Sequence, residues 1–220
     1  MTLPPLLISG TRIRRLAAVA AVLVAMSAPA LAGGKETDAP NAPAADNPGS
    51  ALALPPAPED RAKVLSGLLD RLAKAANESE AAAIRTKIRE QWTNSGSPTI
   101  DLLLARDAQA GLTHDLALRR RLLGAIIHLA PDNPEGWHRR ADLDYAEQHL
   151  GDAMADLGHV LVLEPRHFDA LEALATMMRE VGRNDLALKA FRRLQAVDPT
   201  SANIKPEIDD LARKVEGQRI

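Results

Sequence analysis

The 220-residue chain is 46% hydrophobic but only 2% aromatic, contains no cysteine and carries a formal charge of −2. Without cysteine it has no disulfide framework, no thiolate metal site, no cysteine nucleophile and no lipid-bearing thiol. The charge balance lacks the basic excess of a nucleic-acid binder, and a composition led by alanine and leucine favours helices.

Residues 1–32 read as an export signal. Arg12, Arg14 and Arg15 precede an apolar run, Leu16 to Met26, and Ala30-Leu31-Ala32 forms a small-x-small cleavage site before Gly33. The run is short for a membrane span, which needs about 20 residues. Kept uncleaved, it would serve as an N-terminal anchor. Cleaved, it leaves a mature periplasmic chain with no membrane span and takes the net charge from −2 to −5, because it removes three arginines and no acids. Residues 33–58 hold six prolines in 26 residues and are expected to form a disordered or extended tether. Its one apolar patch, "SALALPP", is expected to dock on the first helix.

Helical periodicity begins at Glu59, and residues 59–96 read as a helical pair. Val64, Leu65, Leu68, Leu69 and Leu72 share one face. Asn77 with Glu80 three residues later marks the second start, and Ala81, Ile84, Ile88 and Trp92 form its apolar side. "NSGSP" closes this helix, with Gly96 at the stop, Ser97 as cap and Pro98 in the next first turn. A third helix follows with Leu102, Leu103, Ala105 and Ala108, and a fourth over Asp115 to Leu129 after a break at Gly111-Leu112-Thr113. No run alternates with period two over a strand's length, so the expected fold is all-α.

Three joints, "LAPDN", "LEPRH" and "VDPTS", place Pro131, Pro165 and Pro199 34 residues apart. Equal spacing after apolar helix ends marks an internal repeat. In the unit 166–199, Leu171, Leu174, Ala175 and Met178 form one stripe, Gly182 closes the helix, and Ala187, Phe191 and Leu194 face back from the next. The unit 132–165 carries Trp137, Ala141, Ala153, Leu157, Val160 and Pro165 at the same offsets. This pattern resembles the tetratricopeptide repeat, a helix–turn–helix unit of 34 residues. The unit 132–165 departs from it at Arg140, Asp144 and Gln148, where leucine, an aromatic and glycine are usual; Tyr145 and Gly151 are the nearest substitutes. The unit 97–131 is degenerate, with Asp107 and Arg119 where small residues belong. Residues 200–220 read as a capping helix with Ile204, Ile208, Leu211 and Val215 inward. The expected architecture is therefore an antiparallel helix-pair solenoid with an N-terminal helical pair and a C-terminal cap helix.

The segment Ser97 to Ile220 also resembles exported bacterial tetratricopeptide proteins of unassigned role. The resemblance implies a non-enzymatic scaffold or adaptor that binds a protein or peptide in its concave groove. By register, the groove positions are Glu135, His138, Arg139, Asp142 and Tyr145, then Asp169, Glu172, Thr176 and Arg179. This set lacks the Lys and Asn constellation with which family members clamp a chaperone-tail carboxylate, so that ligand is not expected. A structural subunit of a cell-envelope complex is an alternative.

A metal-dependent enzyme is a further alternative, resting on His138 with Asp142 four residues on. No H-E-x-x-H, G-x-S-x-G, phosphate-binding or dinucleotide motif occurs among the six histidines and their surroundings, so no catalytic residue, cofactor or metal is expected. The run Arg119-Arg120-Arg121 is expected to be a solvated helix face. Glu164, Arg166 and His167, around Pro165, are expected on the polar outside of a joint.

Overall fold

A computed structural model describes residues 58–202 and 204–217. The expected export signal, nearly all of the tether and its apolar patch lie outside the described residues. The described chain is helical: α1 (Pro58–Leu72), α2 (Glu78–Thr93), α3 (Pro98–Leu112), α4 (Leu116–Leu129), α5 (Pro134–Ala146), α6 (Leu150–Leu163), α7 (Phe168–Glu180), α8 (Asn184–Val197) and α9 (Ile204–Glu216). No strand occurs among the described residues. Consecutive helices from α3 to α9 pack on their neighbours, as a helix-pair solenoid requires.

The 34-residue register recurs in the backbone as well as in the prolines. The turns within the three pairs each contain one residue in the left-handed region at the same register: His114 (φ 56°), Gln148 (φ 64°) and Gly182 (φ 76°). Gln148 adopts the strained conformation itself, and Gly151 lies inside α6 rather than supplying a break. The helix starts are capped in register too. Asn133 accepts from the Gly136 N–H at 3.0 Å, and His167, 34 positions later, accepts from the Ala170 N–H at 3.2 Å through Nδ1. Ser97 occupies the cap position of α3 but makes no side-chain cap bond; Asp101 instead reaches back to Ser95 N and Oγ at 2.7 and 2.6 Å.

Three apolar clusters follow the stack. One joins Ile100 and Leu104 of α3 to Leu123 and Ile126 of α4 and Leu143 of α5. The next joins Ala141, Ala153, Leu157 and Val160 to Ala170 and Met177. The third holds Leu171, Ala175, Ala187, Phe191 and Leu194 with Ile204, Ile208 and Leu211 of α9. Each spans a boundary between pairs, because a single pair cannot bury its own apolar face. In α3 the buried positions are Ile100, Leu104, Asp107 and Ala110; Leu102, Ala105 and Ala108 are exposed. Leu102 to Leu104 offer two possible stripes, and the helix turns Leu104 inward. In α1 Val64 is exposed, while Leu69 and Leu72 carry the buried face.

The N-terminal pair does not extend the stack beside α3 and α4. Leu69, Leu72, Ala81, Ile84, Ile88 and Trp92 join the third cluster, against α7, α8 and α9. The pair is pinned there by polar contacts. Arg85 bonds Asp198 at 2.6 Å, Arg89 grips Asp169 with Nε and Nη2 at 2.9 and 2.6 Å, and Arg166 bonds Asp70 at 2.7 Å. The outer end of the stack is thus α3–α4, where Leu102 is 55% and Leu112 76% exposed.

Candidate functional site

The first helices of successive pairs, α5 and α7, present the face on which register places the groove residues. Helix α2 lies against the N-terminal ends of both. Its Trp92 stacks on His167 at 3.7 Å between ring centroids and 7° between planes, and meets Phe168 at 5.0 Å. The Arg89 guanidinium sits 5.1 Å over the Phe168 ring. His167 is therefore at the centre of the α2–α7 junction, fully buried, rather than on the polar outside of a joint. As an N-cap its Nδ1 must accept, so its ring points back over the first turn of α7, into the space that α2 closes.

The nine groove positions divide by what they touch. Glu135 and Arg139 pair with each other at 2.6 Å, and Arg139 also donates to the Leu104 carbonyl at 2.9 Å and Asp107 at 3.4 Å. Asp169 is held by Arg89, and Arg179 by Glu207 of α9. Tyr145 donates its hydroxyl to Glu180 at 2.8 Å. His138 lies 4.8 Å from His167, ring to ring. Asp142, Glu172 and Thr176 have no side-chain partner among the described residues, and Asp142 and Glu172 are exposed.

The departures from the repeat pattern are paired charges. Asp107 and Arg119 stand one and two registers before the alanine pairs Ala141–Ala153 and Ala175–Ala187, and they bond across the same helix–helix contact at 2.9 Å. Arg140, in a leucine position, makes a two-pronged pair with Asp156 at 2.6 and 2.7 Å. Asp144, in an aromatic position, is buried and held by Arg120 at 2.8 Å. Arg119 is thus half-buried and structural, whereas Arg120 and Arg121 are exposed as a solvated face is, Arg120 reaching inward to Asp144; the partners of this charge run lie 12 and 24 positions away.

Between α2, α3, α5 and α7 lies a cleft of about 480 Å³ whose lining includes Arg89, Trp92, Asp107, Glu135, His138 and Asp142. Asp142 meets solvent but is enclosed by protein on the groove side. That desolvation raises its carboxyl above the ordinary value, opposed by His138 and reinforced by Glu135. Glu172 is raised likewise, by desolvation and then by Asp169. Burial drives His167 well below the ordinary imidazole value of 6.5, with His138 and Arg89 adding to the effect. Two groups of donors converge among the described residues, Glu135–His138–His167 and Asp144–Glu147–His149. Each already holds a guanidinium, from Arg139 and Arg120. In the first group the cap bond leaves the His167 proton on Nε2, which makes that nitrogen a donor rather than a ligand. Neither group is an open metal site.

The fold and this face together define an α-solenoid of helix pairs with a partly self-covered inner surface. A Rhizobium etli protein described as a TPR repeat-containing protein is 34% identical over 155 residues, spanning 70% of this chain and 76% of that one. No family model matches the sequence. Among solved structures, MamA aligns with TM-score 0.49 at 15% identity over 73% of this chain and 85% of its own. The first TPR of Spaghetti, solved with an HSP90 peptide, aligns with TM-score 0.49 at 13% identity over 53% and 93%. By its likeness to the Rhizobium etli protein, the chain belongs to the tetratricopeptide-repeat proteins.

Proposed function

We propose that the chain is a non-enzymatic adaptor, exported to the periplasm, that binds a protein or peptide on the part of the first-helix face left open by α2. The observation that carries this reading is the state of that face. Asp142, Glu172 and Thr176 are polar, lie in register on adjacent first helices, and are not consumed by the packing that engages Glu135, Arg139 and Asp169. Family membership and the solenoid support an interaction role, and the sequence of residues 1–32 supports export.

Photo-crosslinking residues placed at Thr176 (α7) and at Lys189 (on the exposed side of α8) test the face. A partner captured through Thr176 and not through Lys189 supports it; equal capture from both, or from Lys189 alone, refutes it. Export is tested by cell fractionation and the mass of the mature chain, which should begin at Gly33. An uncut cytoplasmic chain would remove the location and leave the interaction standing.

The exposed Leu102 and Leu112 at the α3–α4 end favour a second reading, a permanent neighbour in an envelope complex. Sedimentation of the purified chain separates the two: a stable monomer supports the adaptor, self-association or aggregation the permanent subunit.

A further inference from the structure

The α2–α5 cleft has an unbalanced set of charges. Three guanidiniums and four carboxylates line it. Arg89 is engaged by Asp169, Arg119 by Asp107, and Arg139 by Glu135 and Asp107. That leaves the Asp142 carboxylate as the one lining acid with no ion pair or hydrogen bond among the described residues, beside the imidazole of His138. An anion entering the cleft would find every arginine already matched and would face Asp142 and Asp169. A cation would find a carboxylate without an ion pair, whose charged form desolvation disfavours and nearby Glu135 disfavours further.

A second observation comes from Trp92, which lines this cleft and also the neighbouring cavity bounded by Leu65, Ile100 and Asn133. It is 5% exposed, and its indole N–H is buried without an acceptor among the described residues. An indole nitrogen can only donate, and a buried donor left unpaired costs free energy until an acceptor arrives. A metal ion or a simple amine brings no acceptor. A peptide brings a backbone carbonyl with every residue. The cleft volume of about 480 Å³ falls in the range of sites that enclose a ligand segment.

We propose that this cleft receives a lysine or arginine side chain from a basic peptide segment of the partner, with Asp142 as its counter-charge and the Trp92 N–H donating to an adjacent peptide carbonyl. The proposal rests on the interaction reading above and names the chemistry of the partner. Helix α2 is then one wall of the binding site as well as a covering of the inner face, and recognition needs the N-terminal pair in place.

The test uses the mature chain carrying Trp137→Phe, which makes Trp92 the single tryptophan reporter. The probes are Gly/Ser octapeptides carrying two arginines or two lysines, with glutamate-substituted peptides of the same length as controls. The basic peptides should shift Trp92 emission saturably and the acidic ones should not. Asp142→Asn should weaken basic-peptide binding about tenfold, whereas Asp152→Asn, which removes an exposed carboxylate of α6 and the same net charge, should leave it unchanged. A thermal melt of Asp142→Asn at or above the parent's midpoint shows that the variant is folded. Equal weakening by both substitutions, no saturation, or equal binding of free arginine amide and the peptides would overturn the proposal. Any of these results alongside partner capture through Thr176 would defeat the basic-segment inference alone and leave the adaptor reading intact.

Discussion

The α3–α4 pair and the α7–α8 pair occupy the same register with opposite chemistry. In α7–α8 the helices touch through Ala175 and Ala187, both fully buried. In α3–α4 the equivalent positions are Asp107, 1% exposed, and Arg119, joined at 2.9 Å and tied on to Arg139. Small apolar residues let two helices approach by leaving nothing between them. A charged pair fills the same gap with two side chains that must both be present. The first solution is robust to the loss of an atom and intolerant of an added one; the second is the reverse.

The largest expected effect comes from removing one member of the charged pair. Asp107→Ala leaves Arg119 and Arg139 facing a buried gap and should cost about 3–5 kcal/mol in urea unfolding. The double variant Asp107→Ala/Arg119→Ala recreates the alanine contact and should regain most of that loss. If the double variant is no more stable than the single one, the two pairs are not equivalent solutions. Next in size, Ala187→Leu should cost about 1–3 kcal/mol by forcing α7 and α8 apart, measured in the same way.

A smaller effect distinguishes the caps of the two repeats, Asn133 and His167. Between pH 6.5 and the lower folded-state value of His167, the unfolded chain binds a proton that the folded chain does not. Stability from this group is therefore complete above pH 6.5 and declines on acidification, by at most about 1.4 kcal/mol per pH unit. His167→Asn, which supplies the acceptor that Asn133 uses, should flatten that slope between pH 7 and pH 5; an unchanged slope would place the sensitivity elsewhere. The smallest effect runs the other way. Raised carboxyls such as Asp142 favour the folded state when protonated and lose that contribution as pH rises through the folded-state value. Asp142→Asn should then raise the melting midpoint slightly at neutral pH.

Much of the architecture was legible because it is local. The proline spacing, the alanine positions and the apolar faces of α8 and α9 all lie within one repeat of their partners. The features that were not legible depend on residues far apart. Asp107 reads as a flaw in a repeat until Arg119 is seen to answer it. His167 reads as surface because its cover, Trp92, is 75 positions away in a helix whose destination no local pattern specifies. Of the groove positions, register identified the face, but it could not say that α2 would engage Asp169 and α9 would take Arg179.

The return of α1 and α2 onto α7–α9 alters how the molecule can fold. A simple repeat array is built from neighbours and can begin to order anywhere along its length. Here Arg85 must find Asp198, 113 positions away, before the third cluster is complete. That closure has the entropy cost of a long loop and cannot occur until the last repeat exists. A chain emerging N-terminus first would carry Ile84, Ile88 and Trp92 uncovered until α7 to α9 had followed, and would dock the N-terminal pair on the far end of the array in one late step.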